Sequence, residues 1–263
     1  YNERVEASRN FANKVWNASR FILMNMKENV VEKPEDALLT PADRWILSAV
    51  NTLAKDVTEN MDKFELGIAV QKVYDFIWEE FCDWYIEFSK TALYSDDDEK
   101  RSNAASVLVY VLRETLKLAH PIVPFITEEI YDALPNKDAE DIMISPFPEA
   151  NPKHAYRADS AQTDAVIELI KSVRNLRREM NVSQNKRTAV YIVPKEGKEK
   201  QLKKMAGYIE KLAFASGVYF GEPSGKNASL VTTLGNVFIP MGDLVDFDKE
   251  RARLKAEIEK TDE

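Results

Sequence analysis

Cysteine is almost absent from this chain: Cys82 is the only one in 263 residues. A lone thiol cannot close an internal disulfide, which excludes the small disulfide scaffolds of secreted proteins and fits a reducing compartment. The cytoplasm is the expected location. Histidine is nearly as scarce, with His120 and His154 alone, and neither follows a glutamate by three residues. The Glu-x-x-His pair that completes carboxylate metal sites in helical bundles is therefore missing. Glycine is thin as well, and no glycine-rich phosphate loop occurs. No apolar run approaches the length that spans a bilayer, no signal peptide opens the chain, and no membrane partner is expected.

What is present is the composition of a globular protein with one large or two ordinary domains: 44% hydrophobic and 30% charged residues. The net charge of −8 argues against a nucleic-acid binder if charge is averaged over the whole chain, but its distribution matters more than its sum. Between Asp56 and Glu99, thirteen acids face only Lys63, Lys72 and Lys90. The first helix and the Lys171–Arg187 stretch lean the other way. Such a chain can offer a basic edge to RNA and an acidic back to water.

The first stretch reads as one long helix ending near Glu28 to Asn29. At about 100° per residue, Ala7, Phe11, Val15, Ala18 and Ile22 share an apolar face. Arg9, Asn13, Trp16 and Arg20 form a narrow stripe opposite. Guanidinium, amide and indole groups contact phosphates, base edges and unpaired bases; a solvated face with one tucked tryptophan is the alternative. The chain opens in helical sequence without a methionine, as a segment of a longer protein would.

Thr40-Pro41-Ala42-Asp43 has the form of a helix start. Ile46, Val50, Leu53, Val57 and Met61 follow at helical spacing, with a break at Phe64 and Gly67. Leu66, Val70, Val73, Ile77, Phe81, Trp84 and Phe88 predict a long core helix. On it, Glu79, Asp83 and Glu87 share a face, read as solvated rather than metal-binding, and Cys82 reads as a buried, unactivated thiol. Ala104, Leu108, Val111, Thr115 and Leu118 line the next helix, stopped by Pro121. His120 beside that turn reads as structural, since no nucleophile accompanies it.

Pro135 to His154 is rich in Pro, Asn and Asp, the pattern of a domain boundary. Beyond it, Val166, Leu169, Val173, Leu176 and Met180 give a helix whose opposite side carries Lys171, Arg174 and Arg178, with Arg177 flanking. Thr188–Val193 reads as a strand, Glu199–Ala213 as a helix, and V-Y-F, N-A-S-L-V-T-T-L and N-V-F-I-P as short strands with turns at Gly221, Gly225 and Gly235. The fold class is mainly α: a helical bundle over residues 1–150, a small α/β module over 151–246, and at 247–263 the start of a coiled-coil arm marked by Phe247, Leu254 and Ile258.

Several of these stretches carry a family resemblance. F-A-N-K-V-W-N-A-S-R-F resembles the opening helix of the anticodon-binding domain of class I aminoacyl-tRNA synthetases, most closely the valyl-tRNA synthetases and more loosely the leucyl and isoleucyl ones. F-C-D-W-Y is similar to a later helix of the same domain. H-P-I-V-P-F-I-T-E-E-I-Y resembles a hallmark shared by the leucine, isoleucine, valine and methionine enzymes. V-R-N-L-R-R-E-M-N-V-S resembles the helix and turn that follow the bundle, and the charged tail resembles the root of a C-terminal tRNA-binding arm.

The resemblance implies valine-specific tRNA as partner, through its anticodon loop and stem, rather than DNA, and a monomer. It implies that Arg9 and Arg20 contact phosphates or base edges, Asn13 hydrogen-bonds a splayed base, and Trp16 stacks on one or props the stripe. Lys171, Arg174 and Arg178 would follow the backbone. ATP with magnesium, and valine, would belong to a parent ligase, since this chain has no His-x-Gly-His, no Lys-Met-Ser-Lys-Ser and no editing domain; no catalytic or metal-binding residue is expected here. Three alternatives stay open: a helical scaffold for proteins, a bundle metalloenzyme, and the same region of an isoleucyl- or leucyl-type enzyme.

Overall fold

The computed structural model describes residues 2–26, 34, 36–183 and 185–244. The expected coiled-coil arm at 247–263, and the expected end of the first helix at Glu28 to Asn29, lie outside the described residues. The chain divides into two compact units, Tyr1–Ala161 and Gln162–Glu263.

The first unit is helical. Helix α1 (Asn2–Asn25) buries Val15, Ala18 and Ile22 and half-buries Phe11, whereas Ala7, expected on the same face, is exposed. Helix α2 (Pro41–Asp62) starts on a capping box. The Thr40 hydroxyl accepts a hydrogen bond from the Asp43 amide at 3.2 Å, and the Asp43 carboxylate accepts one from the Thr40 amide at 2.8 Å. Two otherwise orphaned donors at the helix start are thereby satisfied. Ile46, Val50, Leu53 and Val57 are buried along it. Phe64, at φ 60°, turns the chain back.

The helix that follows is not uniform. It begins as α3 (Leu66–Asp75), widens into a π-helical segment (Phe76–Tyr85) and closes as α4 (Ile86–Leu93). In the π segment the Ile86 amide donates to the Phe81 carbonyl, five residues back rather than four. Phe76 and Phe81 thus lie on one side, rings 6.3 Å apart, and both are buried. The sequence-predicted face holds for Val73, Ile77, Phe81, Trp84 and Phe88 but fails at Leu66 and Val70, which are exposed.

The reason for that failure is register. This rod runs parallel to α1: Phe11 stacks on Tyr74 at 4.8 Å, the Lys14 ammonium sits 3.7 Å over the Trp78 ring, and Lys90 lies 5.4 Å over Phe21. The first turn of α3 is therefore level with the Val5–Asn10 stretch of α1, which is itself exposed throughout.

Helix α5 (Asp98–Ala119), capped by Asp97, buries Ala104, Leu108, Val111, Thr115 and Leu118. His120 holds the turn into α6 (Pro124–Asp132) through a 2.8 Å contact of Nδ1 with the Thr127 hydroxyl. The irregular segment after α6 is tied back at two places. Asp138 accepts from Lys117 of α5 and, at 2.6 Å, from the Tyr131 hydroxyl. The Ser48 hydroxyl of α2 donates to the His154 carbonyl at 2.8 Å and accepts from the Tyr156 amide at 2.7 Å.

The second unit takes in most of α7 (Arg157–Glu179), then β1 (Thr188–Pro194), α8 (Glu199–Leu212), β2 (Ala215–Phe220), β3 (Asn227–Val231), β4 (Gly235–Pro240) and α9 (Met241–Leu244). The sheet order is β2-β1-β4-β3. β1 and β2 run parallel, joined by the α8 crossover, and the other pairs are antiparallel. Val166, Leu169, Ile170 and Val173 of α7, with Leu202, Met205 and Ile209 of α8, and Val190, Ile192, Val237 and Ile239 of the sheet, are buried as its core. Gly235 pairs with Pro194, and a Cβ there would meet the Val193 carbonyl oxygen at 2.3 Å, so no larger residue fits without moving the strand.

Candidate nucleic-acid interface

Residues at positions 9, 13, 16 and 20 follow spacings of four, three and four, so one helix face must present them together. Opposite the buried Val15, Ala18 and Ile22, the structure exposes Arg9, Asn13, Trp16 and Arg20. Trp16 is 46% exposed, so its indole face is available for stacking. Arg9 lies 3.5 Å from Glu6, both well exposed, and a pair in that setting holds the guanidinium only weakly.

Beside this stripe the structure shows a cleft that the sequence reading did not anticipate. Its volume is about 470 Å³, and Asn10, Asn13, Lys14, Asn17, Ala18, Phe21, Cys82, Ile86 and Lys90 line it. Three carboxamides succeed one another on adjacent turns of α1. Each carries a donor and an acceptor, the combination that matches a base edge. The asparagine spacing was visible in the sequence, but the far wall comes from the π segment and α4, some seventy residues away, and had no local signal.

The charges around the cleft are held rather than loose. The Lys14 ammonium is 2.7 Å from the Asp83 carboxylate, and Lys90 pairs with Glu87. Two members of the expected acidic ladder are thus engaged by lysines. Burial pushes the Cys82 thiol up to about 12, against the pull of Lys14, so it stays protonated at neutral pH and is a poor nucleophile.

In the second unit, α7 exposes Lys171 and Arg178 and half-buries Arg174. The Arg174 Nε donates to the Leu212 carbonyl at 2.6 Å, and its guanidinium lies 5.6 Å from the Phe214 ring. Arg174 therefore ties α7 to the end of α8. The flanking Arg177 is buried and donates to the Thr188 hydroxyl at 2.6 Å and to the Ser183 and Lys186 carbonyls. Its role is to bind the loop before β1. Residues 162–244 hold thirteen Lys and Arg against eight Asp and Glu, a positive balance inside an acidic chain.

The family model for the anticodon-binding domain of tRNA ligase matches residues 43–192, from the start of α2 into β1. The curated valine–tRNA ligase of Clostridium acetobutylicum is 45% identical over 272 residues, covering 99% of this chain and 31% of that protein. That of Clostridium perfringens is 46% identical over 262 residues, 97% of the chain and 29% of the protein. That of Bacillus cereus is 39% identical over 258 residues, 96% and 29% respectively. The chain thus spans about a third or less of the length of these relatives.

Proposed function

The chain belongs to the anticodon-binding domains of tRNA ligases, and from that membership we propose that it is the tRNA-recognising portion of a valine–tRNA ligase, reading the anticodon of valine tRNA. The specificity rests on the 39–46% identity to valine–tRNA ligases along nearly the whole chain. The observation that carries the RNA reading is the exposed Arg9–Asn13–Trp16–Arg20 stripe beside the asparagine-lined cleft.

The division of labour follows from the chemistry. Arg9 and Arg20 engage phosphates or base edges at the rim. Trp16 offers a stacking face, and Asn13, at once on the stripe and in the cleft, hydrogen-bonds a base splayed out of the loop. Unpaired loops are where protein side chains read RNA sequence, because only there are the base edges exposed. Lys171 and Arg178 supply backbone contacts that add affinity without base preference. Arg174 supports α7 from inside the module.

Aminoacylation would draw on ATP, magnesium and valine held by other parts of a full-length ligase. Among the described residues no three His, Cys, Asp or Glu side chains cluster to hold a metal. No helix of the described residues is long and apolar enough to cross a membrane, and a monomer acting in the cytoplasm is the reading we adopt.

The test is fluorescence anisotropy of valine tRNA and of a transcript altered only in the anticodon, each at two salt concentrations. Tighter binding of the native anticodon, lost in Arg9→Ala and Arg20→Ala, supports the assignment. Equal binding that collapses in salt reduces the surface to phosphate contacts. Absence of binding to either transcript refutes it.

A further inference from the structure

Side chains alternate across a strand, so the sheet of the second unit has two faces. Thr188, Val190 and Ile192 of β1 and Val237 and Ile239 of β4 point to the buried one. On the other face stand Tyr191 and Val193 of β1, Gly217 and Tyr219 of β2, Asn236 and Phe238 of β4, and Ser229 and Val231 of β3, and none of these is buried. Strand register puts Tyr191 opposite Tyr219 on one side and opposite Phe238 on the other, with Ser229 beyond. One row, Tyr219–Tyr191–Phe238–Ser229, therefore crosses all four strands.

Its two tyrosines stand face to face. The Tyr191 and Tyr219 rings stack at 5.1 Å with planes 28° apart. Tyr219 folds along its own strand over Gly217, where a Cβ would come within 2.9 Å of the phenol oxygen. Glycine at 217 is what lets that ring rest on the sheet, and Tyr219 still leaves 49% of its surface to solvent.

We propose that this face is a stacking platform for unpaired nucleotides of single-stranded RNA. The outer face of the Tyr191–Tyr219 stack, with Phe238 next in the row, matches the stacking surface that every base offers whatever its sequence. Asn236 and Ser229 give polar groups on the same face. The surplus of thirteen basic over eight acidic residues in 162–244, with Lys186, Arg187 and Lys226 in the segments that lead into β1 and β3, favours a polyanion over a basic or neutral partner, and among polyanions a nucleic acid alone adds flat bases to stack on the rings. The platform shares no residue with the α1 stripe.

The experiment uses the whole chain and a short fluorescent oligouridine carrying 4-thiouridine, with photo-crosslinking and mass spectrometry beside anisotropy. Crosslinks are expected on the peptides that contain Tyr191, Tyr219 or Phe238, and they should persist in the Arg9→Ala/Arg20→Ala variant, so failure of the anticodon reading leaves this result intact. Tyr219→Ala should weaken binding at least about fivefold, in line with the loss of one stacked base, while Tyr219→Phe, which keeps the ring, retains it. Both variants are read against an unchanged thermal melt. Crosslinks confined to α1, equal affinity of Tyr219→Ala and the parent chain, or no binding of the oligonucleotide each overturn the proposal.

Discussion

The Tyr85 hydroxyl donates a 2.7 Å hydrogen bond to the Asp43 carboxylate, joining the π-helical segment to the capping box of α2 inside the bundle. Both side chains are buried. Burial raises the Asp43 pKa above its ordinary 3.8, and the hydrogen bonds from Thr40 and Tyr85 oppose that rise. An acid whose folded pKa is raised binds more protons folded than unfolded. Its ionisation therefore lowers stability as pH climbs from 3.8 through the raised value.

Tyr85→Phe removes the phenol and leaves the buried carboxylate with fewer donors. The loss of a hydrogen bond to a charged group costs roughly 1.5–3 kcal/mol. The Asp43 pKa should rise further, extending the falling limb of the stability–pH curve to higher pH. Thermal melts of the variant across the acidic range check both; an unchanged curve would mean that Thr40 alone supports the charge.

How much of this was legible beforehand depends on the range of the cause. Thr40-Pro41-Ala42-Asp43 announced the α2 start because a cap is a contact between neighbours, and it formed as expected. The partner Tyr85 was invisible, since it lies forty-two residues away. The aromatic positions of the third helix were read correctly as core, but on a 3.6-residue period, and no pattern within F-I-W-E-E-F-C-D-W-Y declares a five-residue repeat. Likewise Arg9, Asn13, Trp16 and Arg20 emerged from one helix's spacing, while the wall formed by Cys82, Ile86 and Lys90 required the fold. The partner of Arg174 was hidden for the same reason: the Leu212 carbonyl belongs to another helix.

The stripe and the cleft should separate in their effects. Arg20→Ala removes a charge at the rim, so it should weaken tRNA binding, abolish the preference for the native anticodon and reduce the salt slope by about 1. Asn17→Ala removes a neutral amide from the cleft. It should leave the salt slope alone and narrow the preference for the native anticodon by up to about 1–3 kcal/mol. Anisotropy titrations over a salt series distinguish the two.

Asp138 gives the irregular segment after α6 a pH limit. Burial alone would raise its carboxyl, but hydrogen bonds from Lys117 and Tyr131 and the charges of Lys117 and Arg113 prevail and hold it at about 2. A depressed acid contributes stability that is complete above its unfolded value of 3.8 and lost as pH falls through about 2. Allowing for solvent screening, the contribution is on the order of 1–2 kcal/mol. Asp138→Asn should lower the neutral-pH melting temperature and flatten the acid limb below about pH 4; a variant with an unchanged acid limb would assign that limb to other carboxylates.

Cys82 provides a reporter inside the cleft. Its thiol is held near 12 by burial, with Lys14 lowering and Asp83 raising it. At neutral pH, iodoacetamide should therefore modify the folded chain far more slowly than the unfolded one, because only the thiolate attacks. Lys14→Ala removes the lowering charge and should slow the reaction further, whereas Asp83→Asn should quicken it. The cleft supplies the decisive comparison. Cys82 lines it together with Asn10, Asn13 and Asn17, so a base seated against those amides must shield the sulfur. Saturating valine tRNA should then suppress alkylation of Asp83→Asn, the variant in which the reaction is fastest, and a transcript with an altered anticodon should suppress it less. Equal reactivity with and without tRNA would place the anticodon elsewhere on α1 and leave the cleft without a nucleotide.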